Sequence, residues 1–242
     1  MTDVLRSRAN DRQRVYIRTL PVRVCHWIIF LCFLVLVATG LYIAHPYLLA
    51  PKNGDPFVMG AVRFTHFYTA IVFDIAFGAE LFLILVGGRY ERWDQYIPLS
   101  RKRWRSVVES SKYYLFLRRM PPMTIAHDGL DGIVFVIGFI IETVIILTGF
   151  AMWADITSYN SPLALLSFLI PLFGGFQMAR YIHHITMWVM IFYVVLHVIR
   201  VVTLATLKHD GTFDSIISGY RYISPREVAA FEDGVAADDG RR

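Results

Sequence analysis

Cysteine is scarce in this chain, with two among 242 residues, Cys25 and Cys32. They lie seven positions apart in one apolar stretch, where helical geometry disfavours a disulfide. There is no CxxC zinc pattern, no glycine-rich phosphate loop and no recognisable nucleophile–base pairing. Any chemistry must therefore rest on bound cofactors. Charge is also sparse: 18% of residues are charged against 56% hydrophobic, and the mean hydropathy is +0.49. That balance argues against a soluble domain. The N-terminus is polar, and the first apolar stretch exceeds an ordinary signal h-region, so no cleavable signal peptide is expected.

What the chain does have is long apolar runs. Four, near residues 24–44, 64–86, 133–154 and 181–207, reach the roughly 20 residues a bilayer span needs. They predict an all-α integral membrane protein with four transmembrane helices over residues 21–223, between polar tails at 1–20 and 224–242. The N-terminal tail reads as largely mobile and the end of the C-terminal one as disordered. A shorter run at 162–176, broken by Pro171, Gly174 and Gly175, reads as an interfacial or partner-facing helix.

The net charge of +5 does not point to nucleic acid, because of where it sits. Arg6, Arg8, Arg12, Arg14, Arg18 and Arg23 precede the first run, and a second basic cluster from Arg89 to Arg119 separates runs two and three. The two other connections carry only Lys52, Arg63 and Arg180. By the positive-inside rule, both termini and the central connection are expected on the cytoplasmic side of the cell's inner membrane. Their basic residues would meet anionic lipid headgroups. The mixed aromatic and basic segment 101–119 predicts a helix lying on that surface.

The chemistry lies in the histidines. His183 and His197 are fourteen residues apart in the last apolar run, which returns a helix to within roughly 40° of its starting face and about 21 Å further along. His26 opens the first run and His66 the second. Alternating the direction of the runs matches His66 with His183 at one depth and His26 with His197 at the other. Neutral imidazole is a good axial ligand for haem iron and is costly in a membrane without a partner. Two bis-histidine haems therefore fit. One histidine alone is as well explained by capping a helix or bonding a carbonyl; agreement of all four in depth is harder to obtain by accident. His184 competes with His183 but lies roughly 140° off the His197 face. His45 and His209 read as solvated, and His127 as ambiguous between a helix-entry role and a cofactor contact. Asp74, Glu80 and Glu142 are intramembrane acids that suit proton transfer, quinone contact or helix-to-helix hydrogen bonding. Arg200 suits a haem propionate or the membrane surface. VATGLYI at 37–43 and LTGFAM at 147–152 form an internal echo, with Gly40 and Gly149 allowing close approach of helices or of a flat macrocycle.

Those segments have a family likeness. RVCHWIIFLCFLVLVATG (23–40) and HHITMWVMIFYVVLH (183–197) resemble the two signatures of the cytochrome b subunit of membrane-bound nickel–iron hydrogenases. MGAVRFTHF (59–67), GGRYERW (87–93), IAHDG (125–129), LTGFAM and SIISGYR (215–221) are similar to its supporting segments, so the likeness covers roughly residues 15–223. The resemblance implies a four-helix, dihaem b membrane subunit with His26, His66, His183 and His197 as iron ligands. It also implies hydrogenase large and small subunits on the outer side, and electrons passing from the small subunit's iron–sulfur clusters through the cytochrome to membrane quinone. The rivals are the cytochrome b of a formate dehydrogenase or another periplasmic oxidoreductase, and a haem-free anchor or metal transporter.

Overall fold

A computed structural model of the protein describes residues 12–46, 57–88, 90–93, 96–97, 101–115, 117, 129–157, 161–208, 210–225 and 228–229. In chain order the elements are β1 (Gln13–Tyr16), α1 (Leu20–Ala44), α2 (Val58–Val86), α3 (Arg101–Tyr114) and α4 (Gly129–Asp155). A 3₁₀ segment (Pro162–Phe168), α5 (Leu169–Leu172), α6 (Phe176–Lys208), α7 (Ser215–Ser218) and β2 (Tyr220–Ile223) complete them.

Helices α1, α2, α4 and α6 are long and apolar enough to cross a membrane. The shortest has 25 residues, or about 38 Å of rise, against a hydrocarbon core of about 30 Å. Each starts four to six residues before the apolar run that predicts it. Hydropathy ends at the first charge, whereas helical hydrogen bonding does not. Arg63 and Arg180 occupy early turns of α2 and α6 with exposed side chains, whose long stems carry the charge outward. Pro21 sits in the first turn of α1, where its missing N–H costs nothing. The outward faces are apolar, as lipid requires: Leu31, Ile75 and Phe192 are each more than half exposed.

The chain divides into two compact units. One comprises Val24–Leu81 and Phe139–Val194. Small residues allow close helix approach here: Thr148, Ala151 and Ala179 are completely buried, and Ala76 and Ala154 nearly so. Helices α2 and α4 meet through stacked rings, Phe67 on Trp153 at 5.0 Å and Phe77 on Phe139 at 5.4 Å. The expected helix over 162–176 is two short pieces. Ser161 Oγ accepts the Leu163 N–H at 3.3 Å to start the 3₁₀ segment. Gly174 and Gly175, at φ +83° and +101°, end the chain's turn after α5 and let α6 begin.

The other unit holds the described parts of residues 1–23, 82–138 and 195–242. Residues 13–16, read from sequence as part of a mobile tail, instead form β1. It pairs antiparallel with β2 in the register Gln13↔Ile223 to Tyr16↔Tyr220. The strand is held by more than its ladder. The Arg14 guanidinium lies 3.8 Å over the Tyr220 ring, and Ile17 and Ile223 bury together against Val15, Tyr90 and Val228. Gly219, at φ +87°, turns α7 into β2, and its carbonyl accepts the N–H groups of Ile17 and Arg18. Asp210 and Arg221 form a buried ion pair, with Arg221 Nε 3.1 Å from Asp210 Oδ2, and the Thr212 N–H donates to Asp210 Oδ1 at 3.0 Å. Burial alone pushes the Asp210 carboxyl up, but the Arg221 guanidinium and Thr212 outweigh it and hold the group below its ordinary value. Buried Glu91 accepts the Thr19 N–H at 2.7 Å, one residue before α1. The basic segment after residue 100 is helical as α3 to Tyr114, with Val107 and Ser110 buried and Trp104 exposed.

Candidate cofactor site

In the unit built from 24–81 and 139–194, one arrangement occurs twice. Near the end of α1, Thr39 uses its hydroxyl proton on the Val35 carbonyl of its own helix, at 2.7 Å. Its oxygen lies 2.8 Å from Nδ1 of His66 on α2. Near the end of α4, Thr148 donates to the Val144 carbonyl at 2.8 Å, and its oxygen lies 2.9 Å from Nδ1 of His183 on α6. A hydroxyl has one proton. With that proton on a carbonyl, the oxygen is left as acceptor, so each imidazole donates its Nδ1–H to threonine. Nε2 of each ring then keeps its lone pair.

The residue after each threonine is glycine, and each glycine faces the same ring. A Cβ on Gly40 would stand 3.4 Å from His66 Cε1, and one on Gly149 would stand 3.3 Å from His183 Cε1. Met187 closes the other side of Gly40, with its sulfur 3.7 Å from that Cβ position. His66 and His183 are half-buried and within electrostatic reach of each other. His184, next along α6, accepts a hydrogen bond at Nε2 from Trp188 Nε1 at 3.3 Å. Its lone pair is thereby engaged.

His26 is half-buried near the start of α1, with its ring edge-on to Trp27 at 6.1 Å. His197 belongs to the other unit, where it is also half-buried and within electrostatic reach of Arg18. In that unit Arg200, one turn beyond His197, donates from Nε to the Tyr114 hydroxyl at 3.0 Å and pairs with Asp131. Its charge is thus neutralised within the protein. Glu80, Glu142 and Tyr193 lie within electrostatic reach of one another in the first unit. His45 is exposed, and His127 and His209 fall outside the described residues.

Thr39 and Thr148 are the residues that sequence reading missed. The echo of TG in VATGLYI and LTGFAM was the signal, and it was read through its glycines, as close approach of helices or of a macrocycle.

The donor set suits haem more closely than a bare metal ion. Among the described residues no group of three or more His, Cys, Asp or Glu is arranged to hold an ion. A haem asks for only two protein ligands, and neutral imidazoles with free Nε2 lone pairs supply them in apolar surroundings. Glycine beside each ring leaves room for the ring's own orientation to be set by the threonine.

Residues 17–219 match the model of the family described as prokaryotic cytochrome b561. The chain belongs to the prokaryotic cytochrome b561 family. It is similar to a protein of Bradyrhizobium diazoefficiens named as a probable Ni/Fe-hydrogenase B-type cytochrome subunit, at 31% identity over 223 residues and 90% of each chain. A relative of the same name in Cupriavidus necator is 30% identical, covering 85% of this chain and 86% of its own. The probable Ni/Fe-hydrogenase 1 B-type cytochrome subunit of Escherichia coli is 29% identical, covering 85% and 90%. Membership in this cytochrome b561 family, with four membrane-spanning helices, makes the chain a membrane protein and implies haem b.

Proposed function

We propose that this membrane cytochrome anchors a nickel–iron hydrogenase and passes electrons from hydrogen oxidation to membrane quinone. Relatives named for Ni/Fe hydrogenases support that partner over a formate dehydrogenase. His66 and His183 ligate one haem b, and His26 and His197 ligate a second. The observation that carries the reading is the matched pair of threonine-bound imidazoles on α2 and α6, each held through Nδ1. The second pairing rests on the fourteen-residue interval along α6 and on matched depth in the sequence.

Bound haem supplies one-electron redox chemistry. Two imidazoles per iron would leave it no open site, which would suit relay of electrons over binding of a small ligand. The basic segments keep both termini and the central connection cytoplasmic. His66 and His183 then lie toward the outer surface, where the hydrogenase small subunit delivers electrons from its iron–sulfur clusters and the large subunit activates hydrogen. Quinone is reduced toward the opposite side, near His26 and His197. The four spans and the basic residues at the lipid headgroups hold the assembly in the membrane.

The test uses the hydrogenase–cytochrome complex from native membranes. Reduction with hydrogen should develop a low-spin b-type spectrum with two components. His66→Ala and His183→Ala should each remove the same component, and His26→Ala and His197→Ala the other. A preparation with no b-type spectrum overturns the reading, and losses that group differently overturn the pairing.

A further inference from the structure

We propose that Thr39 and Thr148 are positioning residues that lock His66 and His183 in the Nδ1–H tautomer and thereby set the reduction potential of the haem these two histidines share. The proposal rests on the reading that both imidazoles ligate one haem, and its test separates the two.

A neutral imidazole carries one proton on either of two nitrogens, and only the unprotonated nitrogen can bind iron. In a membrane interior water is not there to solvate the wrong tautomer, so the nearby acceptors decide it: threonine for both rings, and for His183 the Ile145 carbonyl as well. A threonine in mid-helix fixes it in one direction only. Its proton is drawn to the i−4 carbonyl, at 2.7 Å from Thr39 and 2.8 Å from Thr148. The i−3 carbonyls of Leu36 and Ile145 are also near, at 3.2 and 3.1 Å, so rotating the hydroxyl about its bond still finds the helix's own backbone. The lone pair that remains faces imidazole. Thr148 is fully buried, so no solvent competes for that contact.

The same residue pair, Thr followed by Gly, does this on two different helices for two different histidines. Glycine is part of the device: a Cβ on Gly149 would press on Cε1 of His183 at 3.3 Å, and one on Gly40 would just touch Cε1 of His66 at 3.4 Å. Two independent copies of one contact, on rings within reach of each other, point to a shared requirement of the two ligands.

An Nδ1–H held by an acceptor makes imidazole a more basic ligand. More electron donation favours ferric over ferrous iron, so the bond holds the potential down. Thr→Val keeps the shape and β-branching of the side chain and removes the hydroxyl acceptor, leaving His183 the Ile145 carbonyl alone. Thr→Ser keeps the acceptor.

The complex carrying T39V, T148V, both together, or the corresponding Ser variants is purified, and each haem is titrated potentiometrically and examined by electron paramagnetic resonance. Each Val variant should raise the potential of the same one haem, by up to a tenfold change in its ferric-to-ferrous preference, or about 59 mV for one electron. The double variant should shift that haem further, the other haem should not move, and both Ser variants should stay near the native value. Normal haem content with unchanged potential and unchanged g-values in both Val variants overturns the proposal. If Val variants lose the haem outright, retention in the Ser variants supports it and loss in the Ser variants overturns it. Shifts that fall on two different haems in T39V and T148V overturn the shared-haem reading instead, while leaving each threonine's action on its own histidine intact.

Discussion

Gly149→Ala is the smallest change that tests how tightly the His183 ring is held. The new methyl carbon would stand 3.3 Å from Cε1 and 3.8 Å from Nδ1 of the imidazole. Carbon pairs rest at about 3.5–4.0 Å, so the ring must retreat by a few tenths of an ångström. Retreat lengthens the 2.9 Å contact with Thr148 and tilts Nε2 away from its direction. Sites of this kind tolerate about 0.5 Å of error, so a partial loss is expected: about tenfold weaker retention of one haem, or about 1.4 kcal/mol. Gly149→Leu, with no room for its larger side chain, should remove that haem. Gly78 on α2 supplies the control, since a Cβ there meets nothing within 4 Å. Gly78→Ala should leave haem content unchanged and favour the helix by about 0.5–1 kcal/mol. The assay is haem per complex, from the reduced-minus-oxidised spectrum of each variant. Full haem content and native g-values in both Gly149 variants would refute the reasoning.

Two further predictions concern the β1–β2 corner. Gly219→Ala places a methyl against the Tyr16 ring and 2.8 Å from the Arg18 carbonyl oxygen, at a φ of +87° that costs an L-residue about 1–2 kcal/mol even without a clash. Limited proteolysis should cut the N-terminal segment of that variant much faster than the native chain's, and equal rates would count against the corner. Asp210 is depressed in the folded protein, so its contribution is complete above the ordinary carboxylate value and is lost as pH falls through the folded one. Asp210→Asn should cost about 3 kcal/mol by stranding the buried Arg221 and should flatten the acid limb of a stability–pH profile. An acid limb unchanged in the variant would remove Asp210 from that role.

Most of the fold was legible because lipid demands long apolar runs, and those runs became α1, α2, α4 and α6. Their starts were misjudged at Arg23, Arg63, Asp131 and Arg180, since a charge ends a hydropathy window without ending a helix. The histidines were legible as exceptions in apolar surroundings. What Thr39 does for His66 was not, because it depends on the register between α1 and α2, and no periodicity along one helix encodes the height of its neighbour. Arg200 was read toward a propionate or the surface. The structure pairs it with Asp131, a residue whose proximity only folding creates. The two strands were invisible for a related reason. QRVY and YRYI are four residues each, too short for alternation to stand out, and each finds its partner at the opposite end of the chain.

That distant partnership has a bearing on when the protein closes. Strand β1 lacks its β2 partner until Tyr220–Ile223 has been synthesised, after every membrane helix. Helix α6, which carries His183 and His197, is the last long segment before it. Until then the first three spans must wait in the lipid with His26 and His66 lacking their proposed counterparts. The β1–β2 corner therefore closes only after all four spans have been made, and a truncation that spares them but removes Tyr220–Ile223 leaves the N-terminal strand without its template.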